Sequence, residues 1–248
     1  MLPRHRIVRI ERAERAGSSW PLVALDEHGD RWLVKLRGAA QGPLPLVAEV
    51  IVAGLAEALG LRAPARACLH LDGTAASTDR HEELRDLLAR SHGDNLGLAF
   101  VAGARVATAA ELAAVDDATA ATVLWLDGLV DNCDRTAANP NLLVVGGALW
   151  PIDHGAALPF HFDWAALDEA APRRARSPRV PHVFADRTAA MISRDAVLAA
   201  CLPRAALAAA VAAVPAAWLP RDPERTRAAY AAYLWKRLAP PRPFVPAR

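Results

Sequence analysis

Cysteine is scarce in this sequence of 248 residues, which contains only Cys68, Cys133 and Cys201. These residues form no CxxC pair and their number is odd, so the sequence indicates neither a disulfide framework nor a cysteine zinc site. The N-terminus lacks the apolar run of a signal peptide, and no stretch of about 18 residues is free of Pro, Gly and charge. We therefore expect a cytoplasmic protein without a membrane span.

The sequence also lacks an excess of charge of either sign. It contains 29 Lys and Arg residues and 27 Asp and Glu residues, so its net charge is +2. No overall basic field favours nucleic acid or an anionic membrane, so any phosphate site must be local. The arginines at 173–179 are interpreted as a solvated loop rather than a nucleic-acid patch. The chain has neither a Walker A pattern nor a GxGxxG pattern, which excludes the P-loop class.

The first hundred residues predict a small antiparallel sheet, one buried helix and a polar helix around 80–90. Strand-forming residues occur in five segments: 5–10, 20–26, 31–36, 66–71 and 96–101. Turn residues at 27–30 join the second and third of these as a hairpin. A helix over 46–59 is apolar on nearly every face, which requires burial almost all round, and Gly60 is expected to end it.

Beyond residue 101 the sequence predicts mainly helices. Helical patterns occur in four segments: 109–130, 188–200, 203–214 and 222–237. A polar loop at 131–140 is followed by a hairpin at 142–152, whose turn is Gly146-Gly147. The last residues, 239–248, are proline-rich and predict a disordered tail rather than an SH3 ligand.

Together these elements predict an α+β fold with two lobes. The N-terminal lobe, residues 1–101, is expected to be a small antiparallel sheet with one helix. The C-terminal lobe, residues 102–238, is expected to be mostly helical, and the tail at 239–248 lies outside both lobes.

The strongest functional signal is the polar loop at 131–140, which contains Asp134 and Asn139. Counting outward from the glycine turn of the hairpin brings Asn139 and Asp153 to neighbouring positions. An amide oxygen and a carboxylate suit Mg²⁺. Asp134 lies five residues before Asn139, the spacing at which kinases place a catalytic aspartate before a metal-binding asparagine. Each residue alone fits a turn or a cap, but the group favours phosphoryl transfer.

A second signal is Lys35, near the end of the apolar strand at 31–36. A buried charge is costly unless it is paired, and Glu49, on an otherwise apolar turn of the helix, is the preferred partner. Glu57 competes for this role, but it lies near the end of the helix, where it can reach solvent. In kinases such a pair directs the lysine at the nucleotide phosphates. The simpler alternative is a lysine at a sheet edge that extends into solvent.

A weaker signal is Gly17-Ser18-Ser19, between the first two predicted strands. Its backbone amides and hydroxyl groups could cradle phosphates. An ordinary turn fits these residues equally well.

These residues resemble the HipA-like kinases, an atypical branch of the protein-kinase-like superfamily that is similar to phosphatidylinositol 3- and 4-kinases. The resemblance spans roughly residues 7–160 and is carried by five groups: Gly17-Ser18-Ser19, Val34-Lys35-Leu36, Glu49 with Leu59-Gly60-Leu61 and Pro64, Asp134-Arg135 with Asn139-Pro140-Asn141-Leu142, and Ile152-Asp153-His154-Gly155. Two features depart from the relatives: Arg135 follows the aspartate rather than preceding it, and the chain is shorter than the toxin-type members.

The resemblance implies a role for each candidate residue. Lys35 would bind the ATP phosphates, with Glu49 anchoring it and Ser18 and Ser19 close by. The backbone of Phe100 and Val101 would contact adenine. Asp134 would be the catalytic base, and two residues would bind magnesium: Asn139 and Asp153.

We therefore predict an ATP- and Mg²⁺-dependent phosphotransferase that phosphorylates a hydroxyl group on a protein. A small-molecule or lipid acceptor is the alternative among kinases, because the same site serves all three. The alternative of another class is a pseudokinase-like module that binds nucleotide without turnover.

Overall fold

The computed structural model describes residues 1–14, 20–39, 41–77, 79, 81–175, 179–220 and 222–246. The chain forms two compact units. The first comprises three segments: Met1–Val47, Pro64–Ala102 and Ala213–Arg221. The second comprises three others: Ala48–Ala63, Gly103–Ala212 and Asp222–Arg248. Each unit is assembled from separate segments of the chain. The lobe boundaries predicted from the sequence, after residues 101 and 238, stay predictions.

The first unit contains a sheet of six strands: β1 (Arg4–Ala13), β2 (Leu22–Asp26), β3 (Arg31–Lys35), β4 (Arg66–Leu71), β5 (Ala76–Ser77) and β6 (Gly93–Ala99). Their order is β2-β3-β6-β4-β1-β5, and β1 also pairs with β2, so that five strands close into a barrel. β1 runs parallel to both β4 and β5. The prediction of a small antiparallel sheet is therefore confirmed in part: four strand pairs are antiparallel, but β1 is parallel to two of its neighbours and the sheet is closed into a barrel.

The barrel closes because β1 is long and bent. Its first three residues pair with β4, and the ladder from Ile7 onward pairs with β2. That ladder is irregular between Ile7 and Arg9 and between Ile10 and Arg12, and such bulges curve a strand. One strand thus joins both edges of the sheet.

Apolar side chains fill the core of the first unit: Ile7, Ile10, Leu22, Ala24, Val34, Ala67, Leu69 and Leu71. Gly97 on β6 makes room for this packing, because a Cβ atom there would lie 2.6 Å from Cγ of Leu69. Helix α2 (Glu82–Arg90) follows α1 (Leu44–Ala58) in the chain and buries Leu84 and Leu87 in the same core.

As predicted, α1 ends before Gly60, whose φ of +81° suits glycine.

The second unit contains most of α1 and, among its other described elements, five further helices: α3 (Ala109–Ala113), α4 (Asp117–Val130), α5 (Thr188–Ala200), α6 (Arg204–Ala212) and α7 (Pro223–Leu238). It also contains a three-stranded sheet in the order β7 (Arg105–Val106), β8 (Leu142–Val145) and β9 (Ala148–Pro151). The last three predicted helices are confirmed within two residues at each end.

The prediction of one long helix over 109–130 was wrong, because two N-caps divide it into α3 and α4. The Thr108 side chain caps α3 together with Glu111 in a reciprocal capping box. Asp116 then starts a new helix, since its Oδ1 accepts a hydrogen bond from the Thr119 amide at 2.8 Å. The apolar pattern alone did not reveal this break.

The predicted hairpin is confirmed in its register. Val145 faces Ala148 and Leu142 faces Pro151 in the ladder between β8 and β9. Gly146 and Gly147 form the two-residue turn with φ values of +55° and +78°, a conformation that glycine adopts without strain. The hairpin therefore delivers the residues after β9 to a defined position beside the polar loop.

Residues 239–246 are docked on the second unit, and the prediction of a disordered tail was wrong for them. The Phe244 ring packs edge-on against Trp125, with 5.4 Å between ring centroids. The Arg242 guanidinium forms an ion pair with Asp195 at 2.6 Å. One aromatic contact and one ion pair thus hold this segment in place, although its proline content predicted a disordered tail.

By length and apolar composition, no single helix of the described residues reaches what a membrane crossing requires. Only a bent pair, Ala185–Ala200 with Arg204–Ala212 at 81°, meets that requirement jointly.

Candidate functional site

The polar loop of the second unit is anchored by a buried acid, Asp127, on α4. Its Oδ1 accepts a hydrogen bond from Asn132 Nδ2 at 3.0 Å, and its Oδ2 accepts one from Arg135 Nε at 2.6 Å. His182 Nε2 lies 2.9 Å from the same Oδ2. Burial by itself would raise the pKa of Asp127, but the Arg135 guanidinium and the His182 ring hold it below its usual range. The carboxylate is therefore a fixed anion at the base of the loop.

Arg135 connects this acid to the hairpin. Its Nη1 donates to three backbone carbonyl groups: Pro140 at 3.3 Å, Asn141, and Ile152 at 3.3 Å. Its Nη2 lies 3.2 Å from Nδ1 of His154. The side chain is 1% exposed, so one buried guanidinium joins α4, the loop and the end of the hairpin. Its planar fork of donors suits this role better than a lysine would.

The end of α4 is fixed from the other side by Arg237 of α7. Its guanidinium donates to the carbonyl groups of Leu129 at 2.8 Å and Gly128 at 3.0 Å, and it pairs with Asp131. A cation that satisfies the last carbonyl groups of a helix also opposes its dipole. Asp131 itself has a left-handed φ of +55°, which turns the chain into the loop.

Asp134 and Asn139, two of the predicted residues, are in contact. Oδ2 of Asp134 accepts hydrogen bonds from Asn139 Nδ2 at 3.0 Å and from Asn141 Nδ2 at 3.2 Å. The Asp134 amide in turn donates to Asn132 Oδ1 at 3.2 Å. Asp134 is half-buried and Asn139 is exposed, so the carboxylate is oriented by amide groups at a surface that solvent reaches.

Asp153 lies two residues after the end of β9. The hairpin ladder continues up to this point, because the Ile152 amide donates to the Asn141 carbonyl at 3.0 Å. Asp153 is exposed and has a φ of +56°, an uncommon conformation for a residue with a Cβ atom. The predicted approach of Asn139 to Asp153 stays a prediction.

The remaining predicted residues are placed as follows. Lys35 is the last residue of β3 in the first unit and is 9% exposed, whereas Glu49 belongs to the second unit, on α1, and is 3% exposed. Their ion pair stays a prediction, and Glu57 is exposed, as its position near the helix end indicated. Ser18 and Ser19 lie outside the described residues.

Phe100 follows β6 in the first unit and is 39% exposed. Its amide donates to the Arg31 carbonyl at 3.0 Å, and the Arg31 guanidinium lies over its ring, 5.6 Å from the centroid. The Phe100 amide is thus used within the sheet. Any contact with a nucleotide base would have to use its carbonyl group or the backbone of Val101.

Sequence reasoning missed Asp127 and His182, and it named Arg135 without recognising that this residue holds the loop. A signal existed for Asp127, the one charged residue between 118 and 130 in an otherwise apolar stretch. A carboxylate there requires a buried partner, and the nearby Arg135 is a natural candidate. His182 gives no such signal, because it lies 55 residues from Asp127 and joins it only through the fold.

A cleft of about 430 Å³, mostly apolar but with one aspartate and one arginine in its lining, lies beside the loop in the second unit. Ala137 and Pro140 of the loop form one wall, and Val106, Leu112 and Phe184 are among its other lining residues. Val106 is 59% exposed and belongs to β7, which forms one edge of the three-stranded sheet. The loop therefore adjoins an apolar surface and an edge strand.

Comparisons with known proteins identify the family and the fold of the chain. The family profile described as HipA-like kinase matches residues 7–236 of the chain. Among solved structures, the Helicobacter pylori proinflammatory kinase CtkA is similar over 92% of this chain and 90% of that chain, with a TM-score of 0.59 and 12% sequence identity. No curated protein matches the sequence. The structural similarity thus confirms the expected α+β fold of the kinase type.

Proposed function

Because the chain belongs to the HipA-like kinase family, we propose that it transfers the γ-phosphoryl group of ATP to a hydroxyl group of a protein, with Mg²⁺ as its metal. The observation that carries this proposal is the Asp134 carboxylate, held by the side-chain amides of Asn139 and Asn141. It stands in a loop that the buried Arg135 fastens to α4 and to the hairpin.

Asp134 acts as the base that accepts the proton of the acceptor hydroxyl. Within the described residues, both hydrogen bonds that its side chain accepts are made by Oδ2, so Oδ1 can face the acceptor. Two amide donors fix the plane of the carboxylate, so the proton acceptor is oriented before the substrate arrives. The backbone anchors of Arg135 keep both amides in place.

Asn139 and Asp153 fit a magnesium ion. Both side chains carry hard oxygen donors, and both are exposed, as a metal that keeps several waters requires. When bound, the ion would neutralise charge on the nucleotide phosphates. The left-handed φ of Asp153 supports this role, because such strain in a residue other than glycine is found most often at functional sites.

Nucleotide binding is proposed for Lys35, Phe100 and Val101 of the first unit, together with Glu49, Ser18 and Ser19. Lys35 binds the phosphates and Glu49 orients it, which the burial of both charged side chains supports. Phe100 and Val101 contact adenine through their backbone. The hydroxyl groups of Ser18 and Ser19 contribute to phosphate binding.

A protein acceptor is favoured by the surroundings of the loop. The apolar cleft shares Ala137 and Pro140 with the loop and adjoins the edge strand β7. An extended acceptor chain can pair with an edge strand and place apolar side chains in a cleft.

Transfer of labelled phosphate tests this proposal. The purified chain is incubated with Mg²⁺, ATP labelled in the γ-phosphate, and protein, lipid and small-molecule fractions of one cell extract. We expect label on hydroxyl side chains of the protein fraction, and none when EDTA removes the metal. Label in another fraction alone would refute the protein acceptor. Absence of label from every fraction, with ATP still bound, would favour a nucleotide-binding module without turnover.

A further inference from the structure

Two imidazole rings and a carboxylate converge at the turn between β2 and β3 of the first unit. His5 of β1 and the turn residues Glu27 and His28 each offer one ligand atom, and these atoms lie within 4.8 Å of one another. We propose that the three side chains form a binding site for Zn²⁺, separate from the magnesium site and independent of the proposed kinase activity.

The fold makes His5 and His28 cross-strand neighbours. Ile7 pairs with Asp26 in the antiparallel ladder of β1 and β2. The Glu27 amide then donates to the Arg6 carbonyl at 3.1 Å, and the Arg6 amide donates to the Glu27 carboxylate. One further step along this ladder places His5 opposite His28. Their ring centroids are 5.5 Å apart. Facing side chains on antiparallel strands are close enough to hold one ion between them.

Asp26 orders the turn that carries His28. It is 1% exposed, and its Oδ1 accepts hydrogen bonds from the amides of His28 and Asp30, both at 2.9 Å. Its Oδ2 accepts one from Trp32 Nε1 at 2.9 Å. The backbone of the turn is therefore set before any ion binds, which lowers the entropic cost of forming the site.

The His5 ring is oriented from behind. It stacks on Trp32, with 5.5 Å between centroids and 30° between planes. Its Nδ1 is buried, makes no hydrogen bond among the described residues, and lies 3.5 Å from Oδ2 of Asp26. A carboxylate beside Nδ1 favours the tautomer protonated there and leaves the lone pair of Nε2 for a metal. This arrangement of carboxylate, histidine and metal is common behind histidine ligands of zinc.

The donor set selects the metal. Two histidines and one carboxylate suit Zn²⁺, whereas Mg²⁺ prefers an all-oxygen shell. Tetrahedral zinc holds ligand atoms about 3.3 Å apart. Nε2 of His28 and Oε1 of Glu27 are already 3.8 Å apart, and their side chains are 63% and 31% exposed, so both can turn inward. A water molecule would complete the fourth position.

This site lies at the opposite end of β3 from Lys35, the residue proposed to bind the nucleotide phosphates. Lys35 is the last residue of β3, whereas the turn precedes the first residue of that strand. Zinc bound here would fasten β1 to the turn between β2 and β3. Because an ion that binds only the folded state stabilises it, zinc would raise the thermal unfolding midpoint.

Zinc titration against a chromogenic chelator tests the site. Because Cys133 and Cys201 carry exposed thiols that also bind zinc, both are first replaced by serine. We expect one equivalent of Zn²⁺ to bind in the presence of excess Mg²⁺. His28→Ala is expected to weaken binding by about tenfold or more, since even residues behind the ligands alter metal affinity by that factor. The matched control, His92→Ala, removes an exposed histidine elsewhere in the same unit and should change nothing.

Glu27→Gln gives a second test that preserves the fold, because the amide oxygen still accepts the hydrogen bond from Arg6. It should weaken zinc binding and reduce the zinc-dependent rise in the unfolding midpoint. Equal zinc affinity in the parent chain and in His28→Ala would overturn the proposal. So would the absence of zinc binding in the parent chain, or a loss of equal size in the His92→Ala control.

Discussion

Replacing Asp134 with asparagine is expected to lower Mg²⁺-dependent phosphoryl transfer from ATP by about 10³-fold, the range that a general base contributes. Asparagine has nearly the same shape as aspartate but cannot accept the proton of the acceptor hydroxyl. The affinity for ATP should stay nearly unchanged, because Asp134 is assigned to the acceptor and not to the nucleotide. Turnover is measured by release or transfer of the γ-phosphate, and affinity by calorimetry.

Cys133→Ser is the matched control for this substitution. Cys133 is exposed and directly precedes Asp134 in the same loop, so a general disturbance of the loop would appear in both variants. The control should retain wild-type turnover. If Asp134→Asn also retained it, the base would have to be another residue, and the role assigned to Asp134 would be wrong.

Replacing Arg135 with leucine is expected to lower the free energy of unfolding by about 3–5 kcal/mol, the cost of breaking a buried ion pair by removing one partner. The change leaves the Asp127 carboxylate buried without its strongest partner. It also removes the donor to the carbonyl groups of Pro140 and Ile152. Urea unfolding at pH 7 measures the effect.

The fold lowers the pKa of Asp127, so stability should depend on pH. The stabilising contribution of the Asp127 carboxylate is complete above the unfolded pKa of about 3.9 and is lost as the pH falls through the lowered value in the folded state.

Arg105→Leu serves as the control for a surface charge. Arg105 pairs with Glu111, but the two side chains are 54% and 34% exposed, so the unfolding midpoint should not change measurably.

Arg135→Lys separates stability from positioning, because it keeps the charge near Asp127 but loses the planar fork. Arg135→Lys should lose less stability than Arg135→Leu, but its turnover should fall by more than that loss of stability explains. Equal stability of Arg135→Leu and wild type would show that the buried network does not hold the loop.

Local signals were sufficient to predict the hairpin. A Gly-Gly pair between two apolar strands allows one register of a two-residue turn, and that register is the observed one. The end of α1 at Gly60 was likewise determined within a few residues of sequence. Asp134 and Asn139 were placed in one short polar loop, but the hydrogen bond between them was not predicted.

Features that depend on distant segments were not predictable in this way. Closure of the barrel requires β1 to pair with both β2 and β4, and the bulges that bend it have no sequence signature. The contact of His182 with Asp127 and the docking of Phe244 on Trp125 join residues far apart in the chain. Local patterns describe one strand or helix at a time, whereas these contacts arise when elements pack.

The affinity for ATP with and without Mg²⁺, in the wild type and in Asp153→Ala, tests the central claim most directly. We expect calorimetry to show binding that requires Mg²⁺ and that Asp153→Ala weakens by about tenfold or more, since the loss of one charged contact removes at least about 1.4 kcal/mol. Wild-type binding that is equally tight with and without the metal would contradict the assignment of Asn139 and Asp153. Failure of the wild type to bind ATP under either condition would contradict the proposed kinase function itself.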